Sequence, residues 1–155
     1  MNWGAEDFVA AGLILGAVLA AFWYASRHLA RKIYLAAFAS GLGTILVIVW
    51  VSLAVGIIGE PDNSANLVFA GVLVVACFGS LMSKLKPSGL SRAMWAAAAA
   101  QLVAGITAVI VTGLTPDATG LWAVTGFNLA LVAAFAVSAW LFGRGDHSQG
   151  TQKGI

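Results

Sequence analysis

Five long apolar runs divide the chain, and short polar segments separate them. A helix needs roughly 20 apolar residues to cross a bilayer core of about 30 Å, and each run approaches or exceeds that length. The runs lack the alternation of a barrel strand. The pattern predicts an all-α membrane protein with five transmembrane helices in an antiparallel up-down bundle, at residues 8–25, 34–58, 65–82, 93–114 and 120–142. Residues 1–143 then form one transmembrane domain, and residues 144–155 form a polar tail.

Composition supports the membrane class. The chain is 61% hydrophobic and 9% charged, and its mean hydropathy is +0.94. Ordinary soluble domains carry about 25% charged residues, so a soluble fold is excluded. The lipid bilayer is therefore the first predicted partner, and no cleaved leader is expected because the first run has its cations after it rather than before it.

The distribution of charge predicts the orientation. All eight lysines and arginines fall in the first connection, the third connection or the tail. The acids other than Asp146 fall on the opposite side under the five-span assignment. Because cytoplasmic loops carry an excess of cations, the N-terminus is predicted outside and the C-terminus in the cytoplasm. The same preference explains the net charge of +2, so no nucleic-acid partner is predicted.

The five runs contain no Asp, Glu, Lys, Arg or His. Proton-coupled transport usually depends on such intramembrane groups, so a pump is not expected. Cys77 is the sole cysteine and has no base within the runs, which argues against nucleophilic catalysis. No cofactor and no metal are predicted.

Gln101 and Asn128 are the strongest polar groups inside the runs. An unpaired amide in hydrocarbon costs several kcal/mol, so both must find partners. One interpretation is hydrogen bonding to a neighbouring helix, such as Thr107 to Asn128. The other is a polar lining for a small ligand or for a solute path, which makes both residues candidate binding residues.

Small residues recur every four positions in three runs. Such small-residue stripes let helix backbones approach closely in lipid. We expect them to hold the helices of this chain together, with one stripe left for a second copy or another membrane protein. The stripes are Gly12, Gly16 and Ala20; Ala96, Ala100, Ala104 and Ala108; and Gly126, Ala130, Ala134 and Ser138.

The most polar interior segment is GIIGEPDNSANL at residues 56–67. Pro61, Asp62 and Asn63 are typical of a turn, and Ser64 or Asn63 is suited to cap the next helix. Asn66 exceeds what a turn requires. Together these oxygens suggest a contact site for a partner or a divalent cation, although the spacing matches no EF-hand loop. The candidate binding residues of this loop are Glu60, Asp62, Asn63 and Asn66, and a capped turn is the alternative.

The same segment carries a resemblance. VGIIGEPDNSANL, with VIVWVSLA before it and the basic loop KLKPSGLSR after the third run, resembles small bacterial multi-pass membrane proteins with a VGIIG-x-x-DN-x-AN-like signature. That group has no established activity. The resemblance implies a multi-pass protein of the bacterial inner membrane and implies no mechanism.

Three functions remain open at this point. The first is a non-enzymatic accessory or scaffold subunit, or a small oligomer, that acts by binding. The alternative is a small transporter or channel component for a neutral or weakly polar solute that passes Gln101 and Asn128. The third is a lipid-modifying enzyme, which the absence of interior acids and bases disfavours.

Overall fold

The computed structural model describes residues 5–28, 32–54, 67–84, 86–114 and 120–150. These residues form five helices, and no strand occurs among them, which confirms the all-helical class. The helices are α1 (Ala5–His28), α2 (Lys32–Ala54), α3 (Leu67–Met82), α4 (Pro87–Gly113) and α5 (Leu121–Gly150).

Three of the described helices are long and apolar enough to cross a membrane: α2, α4 and α5, over Lys32–Val51, Pro87–Gly113 and Leu121–Arg144. The apolar stretches of α1 and α3 are shorter, at Gly12–Arg27 and Leu67–Met82. The 16 described residues of α3 extend about 24 Å at 1.5 Å per residue. By length and composition, three described helices could therefore cross a membrane.

Two helix boundaries differ most from the sequence prediction. The connection predicted to extend to Arg92 ends earlier, because α4 begins at Pro87. Lys86 precedes it with extended backbone angles (φ −72°, ψ 128°), and proline at the first helical position has the φ that a helix requires. At the other end, α5 continues to Gly150, so the first part of the predicted tail is helical.

The packing order of the helices differs from their order along the chain. α5 packs against both α4 and α2, α3 packs mainly on α4, and α1 contacts α2. Ser138 Oγ donates to Ala37 O (2.7 Å) and Ser40 Oγ to Ala134 O (3.3 Å), so α2 and α5 run antiparallel. α2 and α3 are consecutive but barely touch. A gap therefore opens between them.

Two glycines allow the closest helix approaches. A Cβ placed on Gly79 of α3 would lie 2.9 Å from Ala93 Cβ of α4. A Cβ placed on Gly41 of α2 would lie 2.9 Å from Met94 Sδ and 3.0 Å from Ser138 Oγ. Both distances are shorter than van der Waals contact, so only glycine fits without displacement of a neighbour.

The small-residue stripes of α4 and α5 are only partly buried. On α4, Ala96 is exposed whereas Ala104 and Ala108 are buried. On α5, Gly126 and Ala130 are exposed and Ser138 is buried. A step of four residues advances about 40° beyond a full helical turn, so a strict four-residue stripe leaves the interface after two or three steps. Close packing at Gly126 is therefore a wrong prediction, because a Cβ placed there would meet no atom of another described helix within 4 Å.

The stripe on α1 packs on no described helix. Gly12, Gly16 and Ala20 are exposed, and a Cβ on Gly12 or Gly16 would meet nothing within 4 Å in the described part of the chain. Ala25 is the buried residue of this helix among those whose side chains are described. Of the three stripes, this is the one that the described helices leave uncovered, because small residues permit close approach without specifying a partner.

Cations gather at one end of the bundle, which we call the cationic end. The Tyr34 and Phe142 rings stack there with centroids 6.3 Å apart, and Ser91 Oγ donates to Ala139 O (2.8 Å). These contacts bring together the start of α2, the start of α4 and the last turns of α5. The described cations at this end are Arg27, Lys32, Lys84, Lys86, Arg92 and Arg144.

Candidate functional site

An apolar groove occupies the gap between α2 and α3 near the cationic end. Its volume is about 570 Å³, and all five helices contribute to its lining. α4 and α5 form its floor because α3 rests on α4 while α2 rests on α5. The apolar lining residues include Phe38, Leu42 and Ile45 of α2, Leu81 of α3, Leu90 and Met94 of α4, and Phe142 of α5, with Tyr24 of α1 at the margin.

The two serines of the groove direct their protons to the backbone. Ser80 Oγ donates to Ala76 O (2.6 Å), and Ser138 Oγ donates to Ala37 O (2.7 Å). The Ser80 hydroxyl thus bonds within its own helix, and the Ser138 hydroxyl joins α5 to α2. Bonding to backbone carbonyls is the usual state of serine in an apolar interior. The wall of the groove is consequently suited to hydrocarbon.

Lys84 lies at the groove margin, in the turn between α3 and α4. Its φ is +48°, a left-handed conformation that glycine usually occupies at the end of a helix. Lys84 N donates to Leu81 O (3.1 Å) and Lys86 N donates to Ser83 O (2.9 Å), so the turn is held at both sides. These bonds fix the backbone from which the ammonium group extends.

The groove offers binding chemistry rather than acid–base chemistry. None of its described lining residues is Asp, Glu or His. Cys77 also lines it and is exposed, but a cysteine nucleophile needs a neighbouring base or a cationic partner that lowers its pKa. The arrangement can therefore hold an apolar chain beside one cation.

Gln101 and Asn128 lie together in the packed region between α4 and α5. Gln101 is 0% and Asn128 4% exposed, and Gln101 Nε2 donates to Asn128 Oδ1 (2.9 Å). Asn128 Nδ2 donates to Val124 O (2.8 Å), which sets the orientation of this amide. Thr107 is not the partner suggested by the sequence, because its hydroxyl bonds to Val103 O of its own helix (3.0 Å). The two amides form an interhelical pair.

A small recess of about 180 Å³ adjoins this pair, lined by both amides and otherwise mainly by aliphatic residues. Gly105 lies next to Asn128, and a Cβ placed on it would come within 3.0 Å of Asn128 Cβ. Gln101 Oε1 accepts no hydrogen bond from any residue that the structure describes. The pair is thus tightly packed, and its one remaining acceptor is Gln101 Oε1.

We predict that Gln101 and Asn128 are energetically coupled. Gln101→Met leaves Asn128 Oδ1 without its donor and Asn128→Leu leaves the glutamine amide unpaired, so each should destabilise the folded protein by about 1–3 kcal/mol. The double variant removes both partners and should cost less than the sum, with a coupling of about 0.6–2 kcal/mol. The free energy of unfolding is measured in mild detergent for the wild type, the two single variants and the double variant. Strictly additive effects would contradict the pair.

The other candidate residues lie outside the described part of the chain. Glu60, Asp62, Asn63 and Asn66 belong to residues 55–66, where the choice between a contact site and a capped turn stays a prediction. Of the residues proposed from the sequence, the structure therefore brings together Gln101 and Asn128.

The groove is not evident from the amino-acid sequence. In the sequence, Lys84 is one of several cations that predict the orientation of the chain. Phe38, Leu42 and Leu81 do not differ from other apolar residues of a membrane helix. The groove depends on which helices pack together, and no local motif encodes that choice. No protein family, curated protein or solved structure matches this chain.

Proposed function

We propose that the chain is a five-span integral protein of the bacterial inner membrane that acts by binding, and that its groove holds an acyl chain of a membrane lipid. The observation that carries this proposal is the groove of about 570 Å³ lined from five helices. Sites for small molecules usually measure about 300–1,000 Å³ and are mostly apolar. A lipid tail has the matching shape and chemistry.

The proposed orientation places the N-terminus outside and the cationic end in the cytoplasm. The described cations of three separate segments gather at that end, as the positive-inside preference requires. Arg27 lies 4.5 Å from the Trp23 ring centroid and Arg144 lies 3.8 Å from that of Trp140. Tryptophan beside a cation is typical of the membrane–water interface, which supports a boundary at this level.

An accessory or scaffold role fits the same arrangement. α1 has few contacts with the other helices, and its small-residue stripe is exposed, so this helix is the proposed contact surface for another membrane protein or a second copy. The transporter alternative has less support, because Gln101 and Asn128 bond to each other and are buried. The enzyme alternative has less support as well, because no Asp, Glu or His lies among the described groove residues.

A groove-filling variant tests the proposal. Cys77→Phe places a ring in the groove and should lower the amount of retained phospholipid about tenfold, because overpacking costs roughly 1–3 kcal/mol. Native mass spectrometry of protein released from mild detergent counts the lipid molecules bound per chain. The wild-type chain should keep at least one lipid after extensive washing.

The matched control is Phe78→Trp. Phe78 is the next residue of α3, is 63% exposed and does not line the groove. This variant should retain lipid as the wild type does. Equal retention in Cys77→Phe and the wild type, or the absence of any retained lipid in the wild type, would refute lipid binding in the groove.

A further inference from the structure

We propose that the groove prefers anionic phospholipids and that the Lys84 ammonium binds their phosphate head group. This inference rests on the proposed lipid-binding function and adds the class of lipid and the residue that selects it. It commits to a lipid of the surrounding bilayer, whose tail enters the groove while its head group stays at the membrane surface.

The position of Lys84 carries the argument. Lys84 belongs to the groove lining, and Leu81, one turn earlier on α3, is 76% exposed at the groove margin. A tail that lies along Leu81 and Leu42 would therefore place its head group beside Lys84. Since Lys84 is an exposed residue in the turn after α3, the ammonium can meet a phosphate without full loss of hydration for either group.

The other described cations of this end are placed differently. Arg27 and Arg144 stack on Trp23 and Trp140, and Arg92 Nε donates to Ser88 O (3.4 Å). Among the described residues, Lys84 is the cation that lines the groove. Selectivity should consequently depend on this lysine more than on its charged neighbours.

The conformation of Lys84 provides a clean substitution. Asparagine adopts the left-handed backbone more readily than other residues apart from glycine. Lys84→Asn should therefore keep the turn that φ +48° requires while it removes the charge. Lys86→Asn is the matched control, because it removes the same charge two residues away and asparagine is favoured at the start of a helix. Lys84→Arg keeps the charge in the groove.

The experiment compares two lipids with identical acyl chains. Each protein is incorporated into nanodiscs that contain equal amounts of phosphatidylglycerol and phosphatidylcholine, released into the gas phase and analysed by native mass spectrometry. The wild type should retain phosphatidylglycerol over phosphatidylcholine by about fivefold, the preference that one lysine near an anionic lipid provides. Lys84→Asn should lower that ratio to about 1 with unchanged total lipid, whereas Lys84→Arg and Lys86→Asn should keep the preference.

The outcomes separate this inference from the function on which it rests. Equal retention of both lipids by the wild type would overturn the head-group preference but leave lipid binding in place. A loss in Lys86→Asn as large as in Lys84→Asn would overturn the assignment to Lys84 and indicate a diffuse surface charge. Absence of bound lipid from the wild type would overturn both proposals.

Discussion

Replacing Ala104 by leucine is expected to destabilise the folded protein by about 3 kcal/mol, because three additional carbons must fit into a packed interface. Ala104 is fully buried on the face of α4 that also buries Leu90, Ala97 and Ala108. Helix association in lipid depends on close van der Waals contact, so separation of the backbones removes the main attraction between the helices. Unfolding in mild detergent measures the change.

Ala96→Leu is the matched control for this effect. Ala96 belongs to the same small-residue stripe, two turns earlier, yet it is exposed. The same three carbons then extend into lipid or detergent, and the free energy of unfolding should change by less than about 0.5 kcal/mol. Equal destabilisation of both variants, or of neither, would contradict the burial of Ala104 and the exposure of Ala96.

This pair of variants also shows what a sequence pattern can predict. Four-residue spacing correctly marks α4 and α5 as helices that pack through small residues. It misplaces part of the interface, because the buried positions of α4 alternate steps of three and four, from Leu90 through Met94, Ala97 and Gln101 to Ala104. The real interface follows the helical period of 3.6 residues rather than a strict repeat of four. On α5, Gly126 is exposed and lies outside the interface.

The class of fold follows from the sequence more securely than its packing. Apolar runs of membrane length indicate helices, because every backbone group must be satisfied within the segment in lipid. Which helices become neighbours depends on side-chain fit at a few positions. Gly79 against Ala93 and Gly41 against Met94 are such positions, and neither glycine stands in a recurring stripe.

The candidate site shows the same limit. Gln101 and Asn128 are recognisable from the sequence because amides in hydrocarbon need partners, and the structure provides that partner for each. The groove is not recognisable in this way. It exists because α3 packs on α4 and α2 on α5, which leaves α2 and α3 apart. Lys84 gains its proposed role only from that arrangement.

Single cysteines should show an all-or-none difference in labelling between the two sides of the membrane. In a Cys77→Ala background, cysteine at Asp62 or Asp117 should react with a membrane-impermeant maleimide added to intact spheroplasts. Cysteine at Lys86 or Ser148 should react only after the membrane is opened. The cations near Lys86 are expected to hold the cationic end in the cytoplasm. In the five-span arrangement α3 crosses the membrane, so Asp62 and Lys86 lie on opposite sides.

The two shorter apolar stretches make this experiment decisive. Gly12–Arg27 and Leu67–Met82 are the helical segments whose crossing is least secure by length, so they distinguish five spans from three. Labelling of positions 62 and 86 from the same side would show that α3 does not cross. Cysteine at Asn2 tests α1 in the same way, since it should label from outside if that helix spans the bilayer and only from inside if it does not. A cysteine at Lys153, in the tail after α5, serves as the cytoplasmic control. If the proposed orientation is correct, it should react only after the membrane is opened.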